Sequence, residues 1–304
     1  METRQSNSTS VDSSGTTLPG LDSRILNSRR IQDGAYLPPS FELIPRLLLF
    51  LEDLEVNCGA LADLIRVDAA LTAGVIRLAN SALHARGNRT QTLTDAINRV
   101  GLREVYRTVM KIIASPVLLN SEQTGLERLD LWRHSLATAV AAQFLARTVA
   151  LEDPEVAFTA ALLHDIGKVL ICQAVGPDYI SLVEDSKLTG KPLYEAEMAI
   201  FGTDHTQVAA KVMQHWNFPE RIISAVAMHH HPANAPRAHA PLAALIYAGD
   251  ILAYRSGNGY GFPSFVIDPD PAFLELINLT PASLEATEEE VRLAIVREQA
   301  PFQE

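Results

Sequence analysis

The segment that decides the fold is 161-Ala-Leu-Leu-His-Asp-Ile-Gly-Lys-168, where a histidine and an aspartate stand side by side at the end of an apolar run. The run has the pattern of a helix, and Asp153 is suited to cap its first turn. We expect Gly167 to end the helix, so that His164 and Asp165 lie in its last turn. An ionised carboxylate on a buried helix requires a partner or a metal ion. The pair therefore predicts a cation site.

Five further metal-ligating side chains lie at predicted helix ends or on apolar helices, and with the 164–165 pair they give seven candidate ligands. The five are His134, His205, His229, His230 and Asp250. Asp250 is informative because the helix predicted from Pro241 to Tyr254 has little polar surface, and a buried aspartate needs a partner. Neutral imidazoles and carboxylates suit Mn, Fe, Zn or Ni. The set predicts one or two divalent transition metal ions.

The same residues suggest a reaction. A pair of metal ions held in this way lowers the pKa of a bound water and clamps both oxygens of an in-line phosphoryl displacement. Asp165 can bridge two ions, and Lys168, one turn further along, is placed to meet a phosphate oxygen. If the site is catalytic, we expect Asp165 and Lys168 to be its catalytic residues.

Other polar residues have plainer interpretations. Taken singly, a histidine such as His134 or His205 is more often a helix-end or core residue, and only the joint pattern favours metal binding. Glu195 and Glu197 are interpreted as a solvated helix face rather than as acids that support the ligands. We assign no role to four further histidines, which are His84, His215, His231 and His239.

Composition excludes several classes of protein. The 304 residues carry a formal net charge of −11, which argues against a nucleic-acid surface. Residues 102–110 follow a short capped helix as in a helix-turn-helix, but the acidic charge favours ordinary helix packing. No apolar run approaches the length of a membrane span, and the first residues lack a signal core. Cys58 and Cys172 read as free thiols, which predicts a cytoplasmic protein.

Hydrophobic periodicity predicts an all-α fold with four parts. Residues 1–33 are rich in Ser, Thr, Asn and Gly, which predicts a disordered tail. Residues 34–122 form a smaller N-terminal helical part, with Asn57, Asp68 and Gly101 as predicted helix boundaries. Residues 123–260 form the helical core with the candidate ligands, and residues 261–304 form a C-terminal helical extension.

The order of these motifs resembles the HD superfamily of metal-dependent phosphohydrolases and, more closely, its HDOD family of bacterial signalling output domains. The resemblance spans about residues 36 to 255. It is carried by His134, by His164-Asp165 with Gly167-Lys168, by Asp250, and by the segments 37–39, 68–73, 78–81, 96–101, 157–168, 197–205, 216–219 and 229–230. This resemblance implies an all-helical fold in which an HD-type core follows a smaller helical part.

Two functions follow from the resemblance, and the sequence favours the first, with the second as its alternative. HDOD domains are generally regarded as regulatory, and many have lost the HD ligands, which implies an output module with a signalling protein as partner and a metal held for structure or sensing. This chain retains a full ligand set, which leaves open a metal-dependent phosphohydrolase acting on a phosphomonoester, nucleotide or phosphodiester. Cyclic-di-GMP hydrolysis is not favoured, because His229-His230 continues into His231-Pro232 instead of a Gly-Tyr-Pro motif. An open pocket for a phosphate-containing ligand would favour the enzyme.

Overall fold

The computed structural model describes residues 9–11, 17–19, 37–52, 58–81, 84, 89–119, 128–259 and 268–299. From Leu37 onward every regular element in these residues is helical, which confirms the all-α prediction. Two short strands, β1 (Thr9–Val11) and β2 (Thr17–Pro19), pair antiparallel near the start of the chain. They fall in the segment predicted as a disordered tail, the rest of which lies outside the described residues.

Within the described part of residues 34–122, five α-helices follow a 3₁₀ turn at Pro39–Glu42. They are α1 (Leu43–Glu52), α2 (Cys58–Ile65), α3 (Ala69–Ala79), α4 (Leu93–Val100) and α5 (Leu102–Leu119). Asp68 caps α3 as predicted, because its carboxylate accepts hydrogen bonds from the backbone N–H groups of Ala70 and Leu71. Gly101, with φ 93°, ends α4 as predicted. The predicted cap Asn57 lies outside the described residues.

Ten helices follow. They are α6 (Arg128–Val149), α7 (Pro154–Leu163), α8 (Ile166–Val175), α9 (Pro177–Thr189), α10 (Leu193–Phe201), α11 (His205–His215), α12 (Glu220–Ala227), α13 (Ala240–Arg255), α14 (Pro271–Glu275) and α15 (Pro281–Gln299). The centre is α6, which packs against α7 and α13. Small residues allow this close approach: a Cβ added at Gly249 of α13 would lie 2.9 Å from the carbonyl oxygen of Thr138 on α6.

The N-terminal helices and the later ones share one apolar core. Helix α5 packs against α6 and α7, and the hydroxyl groups of Tyr106 and Thr159 form a buried hydrogen bond of 2.8 Å. At the edge of this contact, Arg103 donates two hydrogen bonds to the carboxylate of Asp153. None of the helices in the described part of the chain combines the length and the apolar character that a membrane span needs.

The structure corrects the predicted helix end at the His-Asp pair. Asp153 does cap α7, but α7 ends at Leu163, and Asp165 stands at the start of the next helix, α8. Gly167 is therefore inside the first turn of α8. The absence of a side chain at Gly167 prevents a clash between helices, because a Cβ there would lie 1.9 Å from the carbonyl oxygen of His205. Gly167 lets α11 approach α8 and carry His205 to the pair.

Candidate metal centre

All seven predicted ligands meet in the interior, although they come from five different regions of the chain. His134 lies on α6, the 164–165 pair lies between α7 and α8, His205 begins α11, the 229–230 pair follows α12, and Asp250 lies on α13. Two compact groups bring ligand atoms within 4.8 Å of one another. They are His134 with His164 and Asp165, and His205 with His229 and His230. The seven residues form a candidate metal-binding cluster, which we call the metal centre.

Asp165 is the hub of the metal centre. Its Oδ2 lies 3.2 Å from Nε2 of His164 and 3.7 Å from Nε2 of His134, and its Oδ1 lies 3.3 Å from Nε2 of His205. Lys168 donates a hydrogen bond of 2.7 Å to Oδ2. Burial alone would raise the pKa of Asp165, but His164 and Lys168 hold it well below its usual range. The carboxylate therefore stays ionised.

Backbone carbonyl groups fix the orientation of three imidazoles. The Nδ1 atom of His164 lies 2.6 Å from the carbonyl oxygen of Ala161, and that of His229 lies 2.8 Å from the carbonyl oxygen of Val226. For His134 the acceptor is the carbonyl oxygen of residue 258, also at 2.8 Å. Because a carbonyl oxygen only accepts, each Nδ1 carries the proton and each Nε2 of a neutral ring presents a lone pair. All three Nε2 atoms belong to the metal centre.

The donor set fits a divalent cation. A neutral His134 turns the lone pair of Nε2 toward Oδ1 of Asp250 at 2.9 Å, an arrangement that needs a cation between the two atoms or a second proton on the ring. The buried Nε2 atom of His229 has no hydrogen-bond partner among the described residues. Imidazole nitrogen and carboxylate oxygen are ligands that Mn, Fe, Zn and Ni accept.

Burial keeps two of the histidines neutral. Desolvation, together with His164 and His205, lowers the pKa of His229 to about 3. Desolvation and its neighbour His229 also hold the pKa of His230 well below its usual value. Metal binding requires the neutral form of imidazole, so both rings are in a suitable state for binding at neutral pH.

The plain interpretation of Glu197 was wrong. Glu197 is fully buried, and its Oε2 accepts hydrogen bonds from the backbone N–H of His205 at 2.8 Å and from its Nδ1 at 2.6 Å. Tyr179 donates to the other oxygen at 2.6 Å. Burial opposes protonation of His205, but Glu197 raises its pKa to about 9. Glu195, two residues earlier, is exposed as predicted. Helical period alone does not show that α10 turns Glu197 toward α11.

A cavity of about 410 Å³ reaches the metal centre from the surface. Its inner end is formed by Lys168, His205, His230 and Asp250. Its walls are largely aromatic and carry one further cation; they include Tyr194, Tyr247, Tyr254, Phe273 and Lys191. Tyr194 stacks on His230 with ring centroids 4.3 Å apart. Tyr247 and Tyr254 share helical spacing with Asp250 on α13, but the other wall residues come from separate elements, so sequence period does not identify the wall as a whole.

The other histidines do not join the metal centre. His84, His215 and His239 form none of its contacts among the described residues, as predicted. His231 is exposed, as expected, but it lines the mouth of the cavity beside Tyr194. Helix α12 ends at Ala227, so the paired histidines occupy the turn that follows it.

Two curated proteins show what the sequence is similar to. An uncharacterised protein of Treponema pallidum is 28% identical over 231 residues, which cover 75% of this chain and 44% of that protein. Ribonuclease Y of Opitutus terrae is 28% identical over 206 residues, which cover 67% of this chain and 32% of that enzyme. The chain thus spans less than half of the length of either relative.

Solved structures show the same fold. An HDOD domain protein of unknown function from Geobacter sulfurreducens has a TM-score of 0.72 and 25% identity, and the match covers 91% of this chain and 99% of that one. A structure from Marinobacter aquaeolei has a TM-score of 0.73 and 20% identity, covering 98% of this chain and 68% of that one. At 20% identity this second likeness concerns the fold alone.

The family itself is given by the sequence. Residues 37–232 match the family model described as HDOD domain, which is more than half of the chain. The match includes His134, the 164–165 pair, His205 and the 229–230 pair. Asp250 and the cavity residues Tyr247, Tyr254 and Phe273 lie beyond it. The chain belongs to the HDOD domain family.

Proposed function

We propose that this HDOD protein binds one or two divalent transition metal ions at the metal centre and hydrolyses a phosphate ester in the adjoining cavity. The observation that carries the proposal is the cavity, which leads from the surface to His205, His230 and Asp250. A structural metal site is closed by protein ligands, whereas a catalytic one leaves a position open to substrate. Mn, Fe, Zn and Ni all suit the donor set.

Different side chains have different roles in the proposed site. Bound ions would supply a water of lowered pKa and a positive charge for the phosphate oxygens. Lys168 lines the cavity and keeps its ammonium group 2.7 Å from Asp165, so it can hold a phosphate oxygen beside the metal centre. The aromatic walls favour the organic part of a substrate and limit access of water. The substrate class is a phosphomonoester, nucleotide or phosphodiester.

A relative supports this class of chemistry. The Opitutus terrae protein is by name a ribonuclease, an enzyme whose substrate contains phosphodiester bonds. The net charge of −11 on the present chain does not favour a nucleic acid polymer as its own substrate. We therefore propose a small phosphate ester.

The second candidate is a regulatory output module that acts through a signalling protein partner in the cytoplasm. Membership in the HDOD family supports it, since the resemblance implies regulation. In this case the metal would serve structure or sensing, and the cavity would bind a phosphate-containing ligand without hydrolysing it. Neither Cys58 nor Cys172 forms a disulfide with another described residue, which is consistent with a reducing compartment.

One preparation tests both candidates. We expect protein purified without chelator to contain transition metal and to hydrolyse p-nitrophenyl phosphate or bis-p-nitrophenyl phosphate slowly in the presence of Mn²⁺. Lys168→Met should lower kcat by about 100-fold or more, because it removes a charge that stabilises the transition state. Lys191→Met, at the cavity wall, is the matched control and should retain most of the kcat.

Two results would contradict the proposal in different ways. An empty metal centre in the wild-type protein would end the metal proposal and the hydrolase with it. A metal-loaded protein with no turnover across a broad panel of phosphate esters would leave the regulatory module standing.

A further inference from the structure

His134 differs from the other carbonyl-anchored ligands in the origin of its anchor. His164 and His229 each use a carbonyl oxygen three residues earlier in the chain, so local helix geometry fixes these rings. His134 instead uses the carbonyl oxygen of Asn258, which is 124 residues later. The orientation of His134 is therefore set by tertiary structure.

Asn258 lies in a tight turn after α13. Gly257 adopts a positive φ of 84°, and the backbone N–H of Asn258 donates to the carbonyl oxygen of Ala253 at 2.9 Å. The amide nitrogen of the Asn258 side chain donates to Oγ of Ser256 at 3.0 Å. These bonds shape the turn, but all of them lie within it. They do not hold the turn against α6, where His134 is located.

The Gln299 side chain connects the turn to α6, in addition to the bond that His134 itself makes. Gln299, the last residue of α15, is only 8% exposed. Its amide nitrogen donates to Oδ1 of Asn258 at 2.9 Å and to the carbonyl oxygen of Arg133 at 3.0 Å. Arg133 directly precedes His134. A single amide thus joins the residue next to the ligand to the residue whose carbonyl group orients it.

We propose that Gln299 is a positioning residue of the metal centre. Its amide holds the Asn258 carbonyl group against Nδ1 of His134, which keeps the proton on that nitrogen and keeps Nε2 directed at Asp250. Helix α15 lies beyond the residues that match the HDOD family, so the C-terminal extension completes a site that the family region begins. The inference rests on the metal-binding part of the proposed function, not on catalysis.

Gln299 also lies on a helix that contributes to packing, so a test must distinguish a packing effect from a positioning effect. Helix α15 packs against α6 and α13, and its buried side chains include Leu284, Val291 and Ile295. These apolar contacts anchor the helix without the Gln299 amide. Val291→Ala therefore weakens the packing of α15 and leaves the hydrogen bonds of Gln299 in place, which makes it the matched control.

The experiment measures Co²⁺ binding to the metal-free full-length protein by competition with a chelating dye. The visible absorption of bound Co²⁺ reports the coordination geometry, and the thermal midpoint of the metal-free protein reports packing. The wild-type protein is titrated first, so that a failure of metal binding itself is recognised. The variants are Gln299→Leu, Asn258→Ala, their double variant, and Val291→Ala.

We expect Gln299→Leu to weaken Co²⁺ binding by about tenfold, the lower end of the range for residues that support a metal ligand. Its Co²⁺ spectrum should shift as well. Asn258→Ala removes the acceptor for the same hydrogen bond, so it should weaken binding similarly even if Gln299→Leu folds poorly. The double variant should lose no more than the larger single loss, since both changes break one connection.

The Val291→Ala control distinguishes an effect on helix packing from an effect on the position of His134. Val291→Ala should lower the thermal midpoint while Co²⁺ affinity and spectrum remain those of the wild type. If Gln299→Leu and Asn258→Ala bind Co²⁺ with wild-type affinity and spectrum, Gln299 has no positioning role. If Val291→Ala weakens Co²⁺ binding as much as they do, the effect belongs to packing of α15 and the proposal fails.

Discussion

Helix α7 has a buried carboxylate at each end, and the surroundings shift the pKa values of the two in opposite directions. Glu155, at its start, accepts a hydrogen bond of 2.8 Å from Gln143 and lies within 4 Å of Arg107 and Arg147. Asp165, just beyond its end, faces imidazole Nε2 atoms and Lys168. Both carboxylates are almost fully buried.

The partners explain the difference in ionisation. Burial raises the pKa of Glu155, and the arginines offset only part of that effect. At Asp165, His164 and Lys168 more than offset burial and lower the pKa. Fixed cations of the protein surround Glu155, whereas the surroundings of Asp165 include ring nitrogens suited to bind an ion. The comparison teaches that burial of a charge does not by itself indicate a functional site; the chemistry of its neighbours does.

The largest expected effect is loss of metal when the Asp165 end is changed. We expect His164→Ala with Asp165→Ala to remove bound transition metal, and Asp165→Asn to weaken binding by more than about 100-fold, beyond the range for residues outside the ligand shell. Elemental analysis and dye competition measure this. Glu155→Gln is the matched control and should retain full metal content. Equal loss of metal in Asp165→Asn and Glu155→Gln would contradict the proposed difference between the two ends of α7.

Removal of metal by a chelator should lower the thermal stability of the wild-type protein and of the Glu155 variant, but not that of the Asp165 variant. A ligand present at 100 times its Kd stabilises the native state by about 2.7 kcal/mol. For a chain of 304 residues, an unfolding entropy of about 2.1 cal/mol/K per residue converts this to a rise in Tm of about 4 °C. We expect EDTA to remove this increment from the wild-type protein and from Glu155→Gln, as followed by calorimetry. Asp165→Asn should show no response to EDTA, and a full response would contradict its role as the hub.

Removal of the Glu155 carboxylate should affect folding rather than metal. Glu155→Ala leaves the Gln143 amide and two arginines without their shared acceptor, which we expect to lower the free energy of unfolding by about 2 kcal/mol. The value is below that of a fully buried pair because Arg147 is partly exposed. Glu155→Gln preserves an acceptor and should cost less than about 1 kcal/mol. Urea denaturation of the metal-free variants measures both.

The smallest expected effect concerns Glu197, which supports the Asp165 end through His205. Glu197→Gln should weaken metal binding by about tenfold, because a neutral amide holds the imidazole less firmly and lowers its basicity. Glu195→Gln, on the exposed face of the same helix, should leave the affinity unchanged. Dye competition on the two variants checks the difference. Equal affinities would mean that Glu197 serves the fold alone.

The sequence was sufficient for the all-α fold, for several helix boundaries and for the list of candidate ligands. Asp68, Asp153 and Gly101 marked helix boundaries where the structure has them. These features are local, since caps and helical period depend on residues a few positions apart. The seven candidate ligands were identifiable because histidines and carboxylates on apolar helices are costly without a partner.

The sequence was not sufficient where a residue acts across the fold. Glu197 has the same local pattern as the exposed Glu195, and only the packing of α10 against α11 distinguishes them. Gly167 resembled a helix cap, but the near contact with His205 explains it. The Asn258 carbonyl group and the Gln299 amide carry no signal, because any residue has a carbonyl group and a lone glutamine is common.

By itself, then, the sequence determined an all-α HDOD chain and the chemical identity of the groups that meet at Asp165, because helix formation and the cost of burying a charge are properties of single residues and their near neighbours. Tertiary structure alone decided which nitrogen of each histidine faces the centre, which acid supports it and that a cavity opens beside it. Those features depend on directions between elements as far apart as α6 and α15, and local sequence does not encode such directions.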